Sequence, residues 1–328
     1  MEETDASLDA FEHYLRDVIQ DAEHREPLRS QLRHHFGLAE REHARTGKRL
    51  RPRLVLAAAR AFGAKDASAL PACAAVELLH NYSLIHDDIE DGDRLRHGRA
   101  TVWSAFGLGP GVNCGDAVGA LAYRALEPVA DLLGTDIAYA MTASLARAHI
   151  EMCRGQALDL AAEGDGSATI ASYVEMIEGK TAALFACSAR LGALCARAPS
   201  DDVAKCAEVG RRFGLNFQIR DDIAGVWGET GQTGKTAGAD LCRRKMSFPV
   251  VWALERDPSG AGAAIRRAYS VPGPAIDDAT VDALRSALEA AGAREASERA
   301  AAENAAAARD GARGIAALAA FVEAWGGR

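Results

Sequence analysis

The 328-residue sequence contains no C-x-x-C pair, and its seven cysteines (73, 114, 153, 187, 195, 206 and 242) are odd in number and scattered. That pattern indicates neither a disulfide framework nor a zinc site, and a reducing, cytoplasmic setting is expected. No run approaches the ~20 apolar residues of a membrane helix, so no membrane span is expected. The opening "MEETDASLDAFEHYL" lacks the basic and apolar regions of an export signal, and none is expected there. Positive charge is also short: 38 Lys and Arg against 46 Asp and Glu leave a formal net charge of −8. This argues against nonspecific binding to nucleic acid or anionic lipid, and confines any bound polyanion to a local basic patch. Aromatic residues make up only 6%. Strand-like alternation with Asn-Gly turns is missing, and no solenoid repeat is visible.

Helix is what remains. Apolar residues amount to 48%, enough in a chain of this length for a large core. They recur at helical intervals, as in Leu8, Phe11, Leu15, Ile19 and Leu54, Ala57, Ala58, Phe62. Alanine, with the best helix propensity, is abundant throughout. The periodicity predicts roughly ten helices. Breaks are expected at "TGKR" (46–49), "GAKDAS" (63–68), "GLGPG" (107–111), "AEGDGS" (162–167), "GETGQTGKTAG" (228–238) and "SVPGP" (270–274). None resembles an interdomain linker, so residues 1–328 are expected to form one all-α domain, its alanine-rich end serving packing.

Two Asp-Asp pairs stand in similar settings, "LLHNYSLIHDDIED" and "GLNFQIRDDIAG". On a helix Asp87 and Asp91 share a face, with Asp88 about 100° round the axis. Carboxylates so placed repel unless a cation joins them, and hard oxygen ligands suit Mg²⁺ completed by substrate phosphates. Asp221 and Asp222 follow an apolar segment where unpaired carboxylates are costly. Cations cluster in short motifs nearby. "GKRLRP" places Lys48, Arg49 and Arg51 at a helix start, suited to a diphosphate. Lys180 and Thr181 lie in "EGKT", and Lys235 and Lys245 flank a Gly-rich stretch. "GETGQTGKT" lacks the glycine spacing and preceding strand of a Walker loop. The combination points to two diphosphate groups bridged by Mg²⁺, beside an apolar pocket for an attached hydrocarbon.

In these motifs the sequence resembles the trans-isoprenyl diphosphate synthases, or polyprenyl synthetases. "GKRLRP", "ELLHNYSLIHDDIED", "RHGRATVW", "GDA", "GQALDL", "EGKT", "FQIRDDI", "GKTAGADL" and "RKMSFP" occur in order between about residues 45 and 255. The resemblance implies an all-α bundle around a central cavity, the isoprenoid synthase class I fold. It implies condensation of isopentenyl diphosphate with an allylic diphosphate (dimethylallyl, geranyl or farnesyl) by a short-chain enzyme of the farnesyl or geranylgeranyl type, usually a homodimer. Asp87, Asp88 and Asp91 on one wall, and Asp221 and Asp222 on the facing one, would then hold three Mg²⁺ ions with substrate bound. Arg96, Lys180, Thr181, Gln218, Lys235 and Lys245 would hold the allylic diphosphate, and Lys48, Arg51, His80 and His97 isopentenyl diphosphate. Lys180, Thr181 and Gln218 would face the allylic cation. Ionisation draws on stabilisation of the departing diphosphate, after which the isopentenyl double bond attacks and the released diphosphate takes the proton.

Three positions depart from the family's usual pattern. His97 stands where arginine is common, making a fixed charge titratable, with Arg94 or Arg99 available to substitute. Gly225 stands at the third aspartate of the second motif, and Ala100 replaces a usual proline. A product growing past Asp87 would run down its helix toward Ser83, Tyr82 and Leu79, with Tyr82 as the floor and a product of fifteen or, preferably, twenty carbons. A class I terpene cyclase and a noncatalytic partner subunit are the competing readings.

Overall fold

The structure, a computed structural model, describes residues 2–21, 25–38, 47–164, 166–228, 237–271 and 275–327. Among them helix dominates, in more segments than the roughly ten that periodicity predicts. The chain opens with α1 (Glu2–Asp21), α2 (Leu28–His35), α3 (Leu50–Ala61) and α4 (Asp66–Glu90). A minimal hairpin, β1 (Leu95–Arg96) and β2 (Arg99–Ala100), pairs Leu95 with Ala100 and Arg96 with Arg99. Then follow α5 (Val102–Phe106), α6 (Leu108–Arg124), α7 (Val129–Leu133), α8 (Thr135–Ala162) and α9 (Ile170–Ile177), which leads into a π turn (Glu178–Ala182). The remainder comprises α10 (Ala183–Cys195), α11 (Ser200–Trp227), α12 (Ala239–Cys242), α13 (Phe248–Arg256), α14 (Ala261–Tyr269), α15 (Asp278–Ala290), α16 (Ala293–Gly311) and α17 (Ala316–Trp325).

The hairpin is a feature that periodicity does not anticipate. Two residues per strand carry no alternation, and the turn rests on His97 and Gly98, both at positive φ (52° and 82°). A two-residue turn with both central residues left-handed matches the twist of the flanking strands. Extra helices arise for a related reason: Gly134, with a φ of 94°, cuts a stretch that reads as continuous, and Gly107, with a φ of 102°, lies at an expected break. The "GLGPG" break therefore narrows to Gly107, and α6 runs through Pro110 from its first turn.

The chain gathers into two compact groups, each discontinuous in sequence. The first comprises residues 1–149, 187–207 and 315–318. Its centre is α4, whose Ala72 to Leu79 are all buried, so this helix is covered nearly all round. It packs on α1, α3 and α6. The stripe Phe11, Leu15, Ile19 of α1 is buried, and so are Leu54, Ala57 and Ala58 of α3. Gly119 of α6 leaves room for the Tyr82 ring of α4, which a Cβ would meet at 3.0 Å.

The second group comprises residues 150–186, 208–314 and 319–328. Its core joins Tyr173 and Ile177 to Leu215 and Ile219 of α11, and to Phe248, Val251 and Leu254 of α13. Within it Gly155 of α8 lies flat against the π turn, where a Cβ would fall 2.0 Å from the Lys180 nitrogen. That backbone-on-backbone approach fixes the place of Lys180 and Thr181. Helices α8, α10, α11 and α17 each contribute residues to both groups.

Candidate active site

In the first group, α4 ends at Glu90 and Asp91 is its C-cap, with helical backbone angles (φ −78°, ψ −10°). Its N–H donates to the Asp87 carbonyl at 2.8 Å, so the two side chains stay one helical turn apart as the sequence predicts. Asp87 is half-buried and Asp91 exposed. Asp88 differs: it is buried, and its Oδ1 accepts from Arg96 Nε at 2.7 Å. Burial, opposed by Arg96, pushes its carboxyl up to about 6.

The hairpin brings Arg96 to that carboxylate, leaving His97 exposed at the turn. Arg99 Nη2 donates to the His34 carbonyl at 2.6 Å, and the Arg94 guanidinium lies 5.8 Å from the Trp103 ring centroid. Both cations that could replace the usual arginine at position 97 are thus engaged nearby.

Lys48 is exposed just ahead of α3, and Arg51 and His80 are half-buried. Burial lowers Arg51 to about 10, against the pull of Glu77. Burial, then the charges of Arg51, Arg96 and Arg49, push His80 well below the usual histidine range. Neutral His80 can still donate one N–H to a phosphate oxygen, while the guanidinium supplies the charge.

Tyr82 sits between His86 and His149, its ring centroid 4.6 Å from each. The Ser83 hydroxyl donates to the His80 carbonyl at 2.8 Å, and Leu79 is fully buried.

The second group holds the other acidic pair. Asp221 is half-buried, whereas Asp222 is buried and accepts three hydrogen bonds. Its donors are Tyr173 Oη (2.6 Å), the Phe248 N–H (2.8 Å) and Gln218 Nε2 (3.0 Å). Burial and the neighbouring Asp240 raise its carboxyl to about 7, against those hydrogen bonds. Gln218 in turn accepts from Thr181 Oγ1 at 2.6 Å, so Thr181, Gln218 and Asp222 form one relay. Lys180 Nζ contacts Asp159 Oδ2 at 2.5 Å. Lys245 is pinned through its backbone, its N–H donating to the Asp240 carbonyl and its carbonyl accepting from Tyr269 Oη. Lys235 lies outside the described residues.

Sequence reasoning missed four participants. Asp159 and Asp240 were in view, inside "GQALDL" and "GKTAGADL". Tyr173 and the π turn carry no local signal. Asp240 answers the question raised by Gly225: a Cβ there would fall 1.9 Å from Asp240 Oδ2, so the space beside Gly225 is taken by that carboxylate.

The family model described as polyprenyl synthetase matches residues 38–285. The chain belongs to the polyprenyl synthetase family. It is 40% identical over 283 residues to geranylgeranyl diphosphate synthase of Mycobacterium tuberculosis (strain ATCC 25618 / H37Rv), covering 85% of this chain and 79% of that protein. Against the (2E,6E)-farnesyl diphosphate synthase of the same strain, identity is 42% over 208 residues, covering 63% of this chain and 57% of that one. The solved polyprenyl synthetase of Streptomyces coelicolor A3(2) superposes with a TM-score of 0.86 at 31% identity, covering 97% of this chain and 99% of that one. This polyprenyl synthetase is therefore a prenyl-transferring enzyme, a short-chain isoprenyl diphosphate synthase of all-α fold. The family uses isopentenyl and allylic diphosphates and depends on Mg²⁺. No helix among the described residues is long and apolar enough to cross a membrane.

Proposed function

We propose that this synthase elongates an allylic diphosphate with isopentenyl diphosphate to a product of fifteen or twenty carbons, twenty being favoured. The observation that carries the site assignment is the difference within each acidic pair: one carboxylate half-buried (Asp87, Asp221), the other buried and accepting from protein donors (Asp88, Asp222). An all-oxygen set of Asp87 and Asp91, one turn apart, fits the donor chemistry of Mg²⁺, and Asp221 supplies the same chemistry from the second motif. Asp88 and Asp222 then act by aiming Arg96 and Gln218. When bound, three Mg²⁺ ions would neutralise the diphosphate leaving group.

The chain's own residues do the rest. Arg96, Lys180, Lys235 and Lys245 bind the allylic diphosphate, and Lys48, Arg51, His80 and His97 bind isopentenyl diphosphate. Asp222 fixes the amide of Gln218, whose Oε1 holds the Thr181 hydroxyl proton and leaves the oxygen lone pairs of Thr181 for the allylic cation. Asp240 supplies, beside Gly225, the negative charge that a third aspartate would bring. Tyr82, packed against Gly119 and between two histidines, closes the path of the growing chain.

Residues 1–328 act as one domain in this reading, since four helices contribute to both groups. The exposed Phe106, Leu108 and Val112 along α5 and α6 suit a face covered by a second copy in a homodimer. A cytoplasmic setting follows from the seven free cysteines.

The test is incubation of the purified chain with Mg²⁺, isopentenyl diphosphate and each allylic starter, with products sized by chromatography. An elongated diphosphate is expected. Hydrocarbon formed from the allylic diphosphate alone would instead indicate a cyclase, and turnover only after a second protein is added would indicate a partner subunit.

A further inference from the structure

Arg49, between Lys48 and Arg51, has backbone angles of φ 50° and ψ 41°, the left-handed region that side chains other than glycine rarely adopt. Such a conformation costs about 1–2 kcal/mol and persists only where its surroundings enforce it. The enforcing contacts come from two other helices. Arg49 Nε and Nη2 donate to Glu12 of α1 at 2.7 and 3.2 Å, and Nη1 donates to Glu77 of α4. All three guanidinium nitrogens are therefore bound to carboxylates.

Glu77 is itself held. It is buried, and Asn81 Nδ2 donates to its carbonyl at 2.8 Å and to its Oε1 at 3.3 Å. Asn81 Oδ1 lies 2.9 Å from His35 Nε2, so a line of hydrogen bonds runs from α2 through α4 to the turn before α3. Two carboxylates meet one guanidinium here, and Glu77 also attracts Arg51 electrostatically. Arg53 Nε donates to the Lys48 carbonyl at 3.1 Å, tying down the other side of the turn.

We propose that Arg49 is a positioning residue rather than a substrate ligand: Glu12 and Glu77 clamp its guanidinium, and the resulting left-handed turn sets the spacing of Lys48 and Arg51 for isopentenyl diphosphate. The proposal rests on the reading that Lys48, Arg51 and His80 bind that substrate. It assigns Glu12, Glu77, Asn81 and His35 a shared role in the site without contact with either diphosphate.

The test uses the full chain with Mg²⁺ and both substrates. Arg49→Gly keeps a residue that tolerates the left-handed turn but removes what fixes it. The KM for isopentenyl diphosphate should rise about tenfold, equal to about 1.4 kcal/mol, while the KM for the allylic diphosphate stays within about twofold. Glu77→Gln should act in the same direction, and the double variant should be no worse than the poorer single one. Arg49→Lys should not rescue, because one ammonium cannot bridge both carboxylates as the fork does. Glu12→Gln, on the more exposed side of the clamp, disturbs the core least and should show the same selective rise. An unchanged KM in Arg49→Gly, or multiplying effects in the double variant, would overturn the clamp. Lys48→Ala separates the two levels. If it raises that KM while Arg49→Gly does not, the clamp alone fails; if neither does, the site assignment fails and the clamp with it.

Discussion

Gly225 is the position where a family-typical aspartate should do harm rather than restore a motif. Inside α11, replacing glycine by alanine would ordinarily gain about 1 kcal/mol of helix propensity. Here the added Cβ would lie 1.9 Å from Asp240 Oδ2, 2.4 Å from its Cγ and 3.0 Å from its Oδ1. Carbon and oxygen in ordinary contact sit near ~3.5 Å, so the carboxylate has to retreat by about 1.5 Å. Asp240 is buried, on the four-residue α12, with its carbonyl accepting from the Lys245 N–H at 2.9 Å. Overpacking of this kind costs about 1–3 kcal/mol, and disturbing a buried polar group about 1–3 more. The packing loss outweighs the propensity gain, leaving Gly225→Ala destabilised by about 1–5 kcal/mol, or a melting temperature lower by roughly 1.5–7 °C in a chain of 328 residues. Gly225→Asp forces another carboxylate into the space beside Asp240 and Asp222, and should fall further in both stability and activity. Adding Asp240→Ala to Gly225→Asp vacates that space and should recover part of the loss. Thermal melts followed by circular dichroism, with steady-state rates alongside, decide the matter. An unchanged or raised melting temperature in Gly225→Ala, or a gain of activity in Gly225→Asp, would refute the packing argument.

Tyr82→Ala should lengthen the products by one or more five-carbon units, read by chromatography, and an unchanged product would remove Tyr82 as the floor. Asp221→Asn should raise the Mg²⁺ concentration needed for half-maximal rate, whereas Asp222→Asn should leave that requirement near wild type. Instead it should lower stability by about 1–3 kcal/mol through the Tyr173 and Phe248 donors. Equal metal dependence in the two variants would argue against the division of roles. His35 is held at about 4 by burial, opposed by its hydrogen bond to Asn81, against an ordinary value of 6.5. Between pH 6.5 and 4 the unfolded chain therefore binds a proton that the folded chain refuses. Stability falls as pH drops through that window, by at most about 3 kcal/mol for this group. His35→Gln should show a shallower decline of melting temperature from pH 7 to 4, and an identical slope would exclude His35 as a contributor.

How far the sequence could be read depends on how far away the deciding contact lies. Phe11, Leu15 and Ile19 of α1 are buried where spacing within one helix puts them, whereas α3 is buried continuously from Leu54 to Ala59, and Leu8 and Phe62 are half-buried. Asp87 and Asp91 share a face for the same local reason. Which member of each Asp-Asp pair is buried is another kind of question. For Asp88 the partner is Arg96, eight residues on and carried there by a hairpin of two-residue strands. Asp222 answers to Tyr173, 49 residues earlier, and to the Phe248 backbone. The π turn at Lys180 likewise depends on Gly155 in another helix, which permits the two backbones to touch. Even Gly225, which reads as a missing ligand, is explained only by Asp240, a carboxylate from another helix. Motif letters thus mark where charge is required, while the division of labour among neighbouring charges is set by distant partners. Substituting those partners (Arg96, Tyr173, Asp240) therefore probes this site as directly as substituting the aspartates that the motif displays.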